Sequence, residues 1–339
     1  MKLLKNIKAL TVAATVSTAA LSGVAQADMM KRTFCIWDPV GANGPLYSVM
    51  KSAKPSALKW GVELELKAYT DEKIAAEDFK AGQCDTVLLT GTRAREFNKF
   101  TGSLEAMGAL PSTEEMKMVL STLVQPKAAK LMVNGNYEVA GILPAGAVYL
   151  YTNDRNIDTV EELQGKKIAT LDYDKASMTM VRHIGASVVG SSTANFAGKF
   201  NNGSVDVVYA PAVAYTPLEL YKGLGESGGV FDFPLGQMNF QILIHVDRFP
   251  VGYGQKVRDY TSSRFEEAYK IVETAEAEIK EKYWVRPSPE NMKGYSKMLQ
   301  EVRISLRDEG IYDAKALRLM RKVRCKTNPA NAECAEKRE

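Results

Sequence analysis

The sequence predicts an α/β protein of two lobes, with parallel-rich sheets, a cleft between the lobes and a long helix that spans both. The motif Phe-x-x-Gly-x-x-Asp-x-Val occurs twice, beginning at Phe79 and at Phe200. In each copy the glycine can end a helix, and the β-branched run near the aspartate is typical of a strand covered on both faces. Each copy follows a strand, a loop and a helix. The repeat therefore favours two similar lobes, although glycine and aspartate are common in any such turn.

The amino terminus has the pattern of a cleavable export signal. Three lysines up to position 8 precede an uncharged apolar run to Val24, and Ala-Gln-Ala at 25–27 gives a small-residue cleavage site. We therefore predict a signal peptide at 1–27 and a periplasmic protein. Removing these lysines from the 44 basic residues leaves 41 against 40 acidic residues. This near-neutral balance gives no reason to expect a nucleic-acid partner.

Residues 28–146 are predicted to form lobe I, completed by a returning strand near 240–250. Pro45 can start a helix at its first position, and Ser112 with Glu115 forms a capping box for another helix. The predicted strands of this lobe are 33–37, 62–68 and 86–89, and its predicted helices begin near 45, 71, 92 and 112.

Residues 147–239 are predicted to form lobe II. Its predicted elements are a strand at 167–171, helices near 177–184 and 193–201, and the strand of the second motif. Apolar residues keep helical spacing from Val257 to Tyr283, which predicts one long helix at 251–284. Residues 285–339 are predicted to form shorter helices and a polar tail.

The sequence offers little for catalysis. Its two histidines, His183 on a predicted helix and His245 in an apolar strand, have no partner at metal-ligand spacing. Gly223-x-Gly225-x-x-Gly228 matches the dinucleotide fingerprint formally, but it follows a predicted helix where the fingerprint needs a strand. A surface loop explains these glycines better. We therefore expect no enzyme, no catalytic residue, no metal and no cofactor.

A binding site is the better interpretation. Ligands of parallel α/β sheets lie beyond the carboxyl ends of the strands, where the amides of helix starts also point. The predicted ligand-binding residues at such ends are Trp37, Asp38, Asn43, Thr90, Gly91, Arg93, Tyr151, Asp172, Tyr173, Ser177, Tyr209 and Tyr215. Arg93 and the strand-end amides favour an organic anion. The alternative is a cation held by Asp38, Asp172 and Asp174 against aromatic rings. Ordinary core packing of the aromatic residues, and a solvated Arg93 at a helix start, stay open.

Four cysteines in an exported chain allow three pairings. Cys325 and Cys334 flank a Lys-Thr-Asn-Pro turn, which favours a local disulfide. Cys35 and Cys84 lie on or beside two neighbouring predicted strands of lobe I, where either a bridge or two small buried thiols would fit.

The layout resembles a known class of receptors. The export signal, Gln164-Gly165-Lys166-Lys167-Ile168 opening a strand, the repeated motif, residues 217–222 and the long helix after the strand at Phe240 are similar to periplasmic solute-binding proteins of type II. TRAP-transporter receptors of the DctP kind are the most similar. The resemblance implies a monomer that captures a small solute without turnover and delivers it to the membrane permease of a secondary transporter. Such receptors usually carry a carboxylate-clamping arginine after the Gly-x-Lys-Ile strand, and here Ala169 takes that place.

Residues 33–110 also resemble a group of AdeT-like exported proteins that are sometimes described as RND efflux components linked to antibiotic resistance. Periplasmic adaptors need a hairpin of paired heptad helices, and pumps need many membrane spans. Neither pattern follows the signal here. An efflux accessory protein and an enzyme on the same two-lobe fold are the alternatives to solute capture.

Overall fold

The computed structural model describes residues 29–339, so the predicted signal peptide lies outside the described residues. Eleven strands are found in this range. They are β1 Met30–Trp37, β2 Val62–Tyr69, β3 Thr86–Thr90, β4 Val133–Asn134, β5 Tyr137–Thr152, β6 Lys167–Leu171, β7 Ser187–Ser191, β8 Val207–Pro211, β9 Gly229–Phe231, β10 Gly236–His245 and β11 Trp284–Val285.

Fourteen α-helices accompany them within 29–339. They are α1 Pro45–Ser52, α2 Lys54–Lys59, α3 Glu72–Lys80, α4 Gly91–Ala94, α5 Lys99–Gly102, α6 Thr113–Leu123, α7 Lys175–His183, α8 Phe196–Asn201, α9 Tyr221–Leu224, α10 Tyr253–Ser262, α11 Phe265–Glu278, α12 Pro289–Asp308, α13 Ala314–Thr327 and α14 Ala332–Glu336. No helix in the described range is both long and apolar enough to cross a membrane.

The strands are ordered β2-β1-β3-β10-β5-β8-β6-β7. The two triplets at the ends, β1–β3 and β6–β8, are parallel within themselves, whereas β5 and β10 run antiparallel to their neighbours in the centre. We expected separate sheets in the two lobes, and this is wrong in one respect. The strands form one hydrogen-bonded ladder, because the 16-residue β5 pairs with β10 in its first part and with β8 in its last.

The repeated motif has the same structural role in both halves. Gly82 and Gly203 end α3 and α8 with φ of 78° and 75°, in the left-handed region that favours glycine. The Asp85 carboxylate accepts a hydrogen bond from the backbone N–H of Thr33 in β1, at 2.7 Å. The Asp206 carboxylate accepts from the N–H of Lys167 in β6, at 2.8 Å. Each aspartate thus ties the strand that follows the motif to the first strand of its own lobe.

Gly146 marks the change between the two halves of β5. Its φ is 92°, and a Cβ there would lie 2.5 Å from Val272 of α11, so a glycine is required. Gly146 pairs with Met238 of β10, and the register of that ladder shifts immediately after Met238. This irregularity coincides with the lobe boundary predicted at 146, which itself stays a prediction.

The prediction of one helix at 251–284 is wrong. The segment forms α10 and α11, separated at Ser263 and Arg264. The hydroxyls of Ser262 and Ser263 bond back to the carbonyl oxygens of Asp259 and Tyr260, which competes with continued helical hydrogen bonds. α10 packs on β5 in lobe I, and α11 packs on β5 and on the turn after β8 in lobe II. α10 and α11 together therefore span the two lobes, which we had expected of a single helix.

Both cysteine pairs form disulfides, Cys35–Cys84 and Cys325–Cys334. The first joins β1 to the turn before β3 inside the core, and the second joins α13 to α14. The local pairing predicted for Cys325 and Cys334 is confirmed, and the bridge is the alternative realised for Cys35 and Cys84.

Candidate functional site

A cleft of about 1000 Å³ lies between the two halves of the molecule. Its walls include the carboxyl ends of β1, β3, β6 and β8 together with segments of β5, β10, α10 and α11. Strand ends of both parallel triplets thus face one cavity, as expected for ligand sites in α/β sheets.

Five of the twelve residues predicted to bind ligand line this cleft. They are Trp37, Asp38, Thr90, Ser177 and Tyr209. The other seven are not part of its walls, namely Asn43, Gly91, Arg93, Tyr151, Asp172, Tyr173 and Tyr215. The strand-end rule therefore identified the edge of the sheet that borders the cleft, but not the direction of each side chain.

Arg93 does not face the cleft, contrary to our expectation for the ligand-binding arginine. It is 8% exposed, and its guanidinium carbon lies 3.2 Å from the centre of the Tyr173 ring. The Tyr173 hydroxyl in turn donates to the buried carboxylate of Glu72 at 2.9 Å. Burial raises the pKa of Glu72, and the nearby Arg93 opposes that shift. Arg93 and Tyr173 therefore connect the two lobes without lining the cleft.

The aromatic cage required for a cation is not assembled. Tyr215 stacks on Tyr151 at 6.3 Å within a second apolar core in lobe II, and Tyr173 covers Arg93. Of the rings proposed for that alternative, Trp37 and Tyr209 remain on the cleft walls. An aromatic cage needs several ring faces around one charge, so this geometry disfavours the caged cation.

Arg95 lines the cleft, as does the more exposed Arg264, and neither was among the residues predicted to bind ligand. Arg95 Nε donates to the carbonyl oxygen of Gly102 at 3.1 Å, and its Nη1 donates to Asp174 Oδ1 at 3.1 Å. Asp174 also caps α7 by accepting from the N–H groups of Ala176 and Ser177. Arg95 and Asp174 form a second contact between the lobes.

Glu105 lies on the cleft wall beside this pair. Its carboxylate accepts from the N–H of Gly91 at 3.2 Å, the hydroxyl of Thr92 at 2.5 Å and the N–H of Asn239 at 2.8 Å. Burial raises the pKa of Glu105 to about 7, although these hydrogen bonds and Arg95 favour the charged form. Glu105 is thus a carboxyl group that changes its charge near neutral pH.

The acidic groups deep in the cleft are already satisfied by the protein. Asp38 accepts from the N–H groups of Val40 and Tyr47, and Glu105 and Asp174 have the partners given above. By contrast, three buried cleft-wall groups have no partner among the described residues, and all three can donate. They are Trp37 Nε1, Thr170 Oγ1 and Gln237 Nε2. Because buried polar groups are normally paired, these three atoms retain hydrogen-bonding capacity that no group in the described part of the chain uses.

The comparisons with known proteins agree with this geometry. A family model described as "Solute-binding protein AdeT 1/2" matches residues 50–339. The chain belongs to the AdeT 1/2 family of solute-binding proteins. It is 44% identical over 300 residues to the probable solute-binding protein AdeT1 of Acinetobacter baumannii, covering 88% of this chain and 99% of the relative.

Solved structures similar to this AdeT-family chain are TRAP periplasmic solute-binding proteins. One from Desulfovibrio salexigens with bound orotic acid has a TM-score of 0.71 at 13% identity, covering 87% of this chain and 97% of that one. One from Rhodoferax ferrireducens with bound malonate has a TM-score of 0.70 at 12% identity, covering 88% of this chain and 100% of that one. At such identities the likeness shows the fold alone, and it confirms the predicted two-lobe α/β fold.

The position at which the resemblance to TRAP receptors led us to expect a clamping arginine is Ala169 in the AdeT-family chain. Ala169 on β6 is buried and lines the cleft. No group of three or more potential metal-ligating side chains occurs within 29–339. The glycines of the formal dinucleotide fingerprint end α9 and form the turn after it instead of opening a helix after a strand.

Proposed function

We propose that this protein captures a small organic anion in the periplasm and delivers it, without turnover, to the membrane permease of a secondary transporter. The observation that carries the proposal is the unused hydrogen-bonding capacity of the cleft. Its buried acids have partners, whereas Trp37 Nε1, Thr170 Oγ1 and Gln237 Nε2 do not. A carboxylate can accept from all three kinds of donor. The acids bound by the structural neighbours, orotate and malonate among them, support the same ligand class.

Closure of the lobes would bury the ligand. Lobe II contributes Tyr173 and Asp174 to lobe I, where they meet Glu72 and Arg95. The chain passes between the lobes along β5 and β10, with Gly146 at the irregular point. A hinge at such strands would let the lobes open for solute entry and release, as in receptors that close around a ligand.

A thermal-shift screen tests the ligand class. Purified mature protein is mixed separately with organic acids, amino acids, polyamines and aminoglycosides. A ligand present at a hundred times its dissociation constant stabilises the folded state by about 2.7 kcal/mol, which moves the melting temperature by several degrees. We expect a shift from an organic acid. A shift from polyamines or aminoglycosides alone would contradict the anion.

Thr170→Val tests the donor set with little disturbance of the fold. Thr170 is 1% exposed and its hydroxyl has no partner in the described part of the chain, so valine should leave the unliganded protein as stable or slightly more stable. Loss of one hydrogen bond to a charged acceptor should weaken binding about tenfold or more. Thr122→Val is the matched control, because Thr122 is exposed and its hydroxyl bonds its own helix. Equal affinity in both variants would exclude Thr170 from the site.

Two further measurements separate the other classes. Recovery of the bound solute chemically unchanged distinguishes a receptor from an enzyme on this fold. Co-purification with a membrane permease distinguishes transporter delivery from an efflux role, in which an outer-membrane channel would be recovered instead. We expect a monomer and no nucleic-acid binding, which sedimentation with and without added nucleic acid would check.

A further inference from the structure

One side of the cleft, which we call the apolar arm, has very little polarity. It is lined by Leu46, Met50, Trp60, Phe240, Tyr253 and Val257, from α1, the end of α2, β10 and α10. Trp60 makes edge contacts with Tyr253 at 5.8 Å and with Tyr260 at 6.1 Å between ring centres. The arm therefore offers aliphatic and aromatic surface to a ligand.

The serine and threonine hydroxyls along the arm donate to the protein's own backbone. Ser48 donates to the carbonyl oxygen of Gly44 at 3.0 Å, and Ser52 donates to that of Val49 at 2.7 Å. Thr86 on β3 donates to the carbonyl oxygen of Leu243 at 2.7 Å, and Thr261 on α10 donates to that of Arg258 at 3.0 Å. A hydroxyl has one proton to donate. These side chains consequently have no donor left for a sugar acid or a second carboxylate.

Trp37 links the arm to the unpartnered donors. Its ring packs against Phe240 of the arm with centres 6.2 Å apart, and its Nε1 is one of the three donors without a partner. The cavity of about 1000 Å³ is at the upper end of the range typical of drug-sized ligands, far larger than a small dicarboxylate needs.

We propose that the ligand is an amphipathic organic acid, with its carboxylate bound by unpartnered donors of the cleft walls, Trp37 beside the arm among them, and its aliphatic chain or aromatic body in the apolar arm. This inference rests on the proposed capture of an organic anion and narrows it. Apolar contact, which grows with buried area, would supply most of the affinity, and the few donors would fix the orientation of the head group.

Calorimetric titration of the mature protein with a graded series tests this inference. Butanoate, hexanoate, octanoate and decanoate differ only in chain length, and succinate and galacturonate are the polar comparison. Each buried methylene should tighten binding roughly fourfold until the arm is filled. Decanol and decyltrimethylammonium keep the chain but replace the carboxylate, and both should bind at least tenfold more weakly than decanoate.

Ala53→Phe, with Leu58→Phe as its matched control, tests the location of the chain. Ala53 lines the cleft immediately before α2 and is only partly buried, whereas Leu58 on α2 is 42% exposed and is not part of the cleft walls. Phenylalanine at 53 should abolish the gain from hexanoate to decanoate and leave butanoate binding unchanged. The control should keep the whole series, and the unliganded melting temperature of each variant shows whether it is folded.

The outcomes separate the two proposals. Tight binding of succinate or galacturonate, with no gain along the chain series, would overturn the amphipathic ligand and leave anion capture standing. Equal binding of decanoate, decanol and decyltrimethylammonium would overturn the anion itself, as would no binding of any acid. A chain-length gain that survives Ala53→Phe in a folded protein would overturn the placement of the chain in the arm.

Discussion

Replacing Glu105 with glutamine should stabilise the unliganded protein at alkaline pH. The substitution keeps the shape and the contacts. The remaining carbonyl oxygen can accept from the N–H groups of Gly91 and Asn239, which both meet Glu105 Oε1, and the new amide can donate to the hydroxyl of Thr92, which meets Oε2. What changes is the charge that the folded protein must bury.

The expected magnitude follows from the pKa of Glu105, raised by burial from 4.5 to about 7. Between these values the folded protein holds a proton that the unfolded chain has released, so the contribution of Glu105 to stability is full below pH 4.5 and is lost as the pH rises to 7. A shift of this size corresponds to at most about 3 kcal/mol, and water in the open cleft reduces it. Glu105→Gln should therefore match the parent protein near pH 4 and exceed its free energy of unfolding by up to about 3 kcal/mol at pH 8.

Urea unfolding of both proteins from pH 4 to 8.5 measures this difference. Glu65→Gln is the control, because Glu65 is exposed on β2 and the substitution should give no pH-dependent difference. A Glu105→Gln difference that is constant across this range would refute the reasoning. So would a stabilisation that appears only at acid pH, because it would require a lowered pKa.

Three other variants or treatments test separate parts of the structure. Cys325 and Cys334 should resist alkylation until a reductant is added, and opening their short loop should cost about 2–3 kcal/mol; mass spectrometry of alkylated protein would reveal two free thiols if the bridge were absent. Arg303→Met should cost about 3–5 kcal/mol in urea unfolding, because Arg303 is fully buried and the carboxylate of Glu339 would lose a partner; a cost below 1 kcal/mol would contradict that pairing. Tyr173→Phe should cost about 1.5–3 kcal/mol by removing a hydrogen bond to a buried carboxylate, and an unchanged melting temperature would mean that this contact between the lobes is not formed.

The features that the sequence predicted well depend on local geometry. The two copies of the motif predicted the helix ends at Gly82 and Gly203 because these ends need a left-handed backbone conformation, which glycine adopts without steric cost. The carboxyl ends of the strands identified the cleft edge because parallel strands present those ends together. Neither inference required knowledge of how distant segments pack.

The direction of single side chains could not be predicted in the same way. Arg93 and Arg95 are two residues apart, so in a helical turn they project about 200° from one another, and one faces Tyr173 while the other faces the cleft. Which of them faces the ligand depends on how α4 sits on the sheet, and that is set by tertiary contacts such as Arg95 with Gly102.

The apolar periodicity of the sequence gives no sign of the break between α10 and α11. Val257, Thr261, Phe265, Tyr269 and Val272 are all buried and keep spacings of three or four residues through the interruption. Periodicity therefore continues where the helix does not, because both helices bury the same face against β5. The serine pair at 262–263 was the available local signal, since serine hydroxyls compete for helical carbonyl oxygens.

Ala169 in place of a clamping arginine changes how an anion would be held. A guanidinium can compensate a carboxylate with two parallel charged hydrogen bonds, whereas the unpartnered groups in this cleft are neutral donors. Hydrogen bonds to a charged group contribute about 1.5–3 kcal/mol each, but burying the charge also has a large desolvation cost. Neutral donors would then do little more than offset that cost, so net affinity would have to come from apolar contact in the arm beside Trp37. A receptor built in this way would discriminate among acids by their apolar bodies, and would bind small acids that lack such a body only weakly.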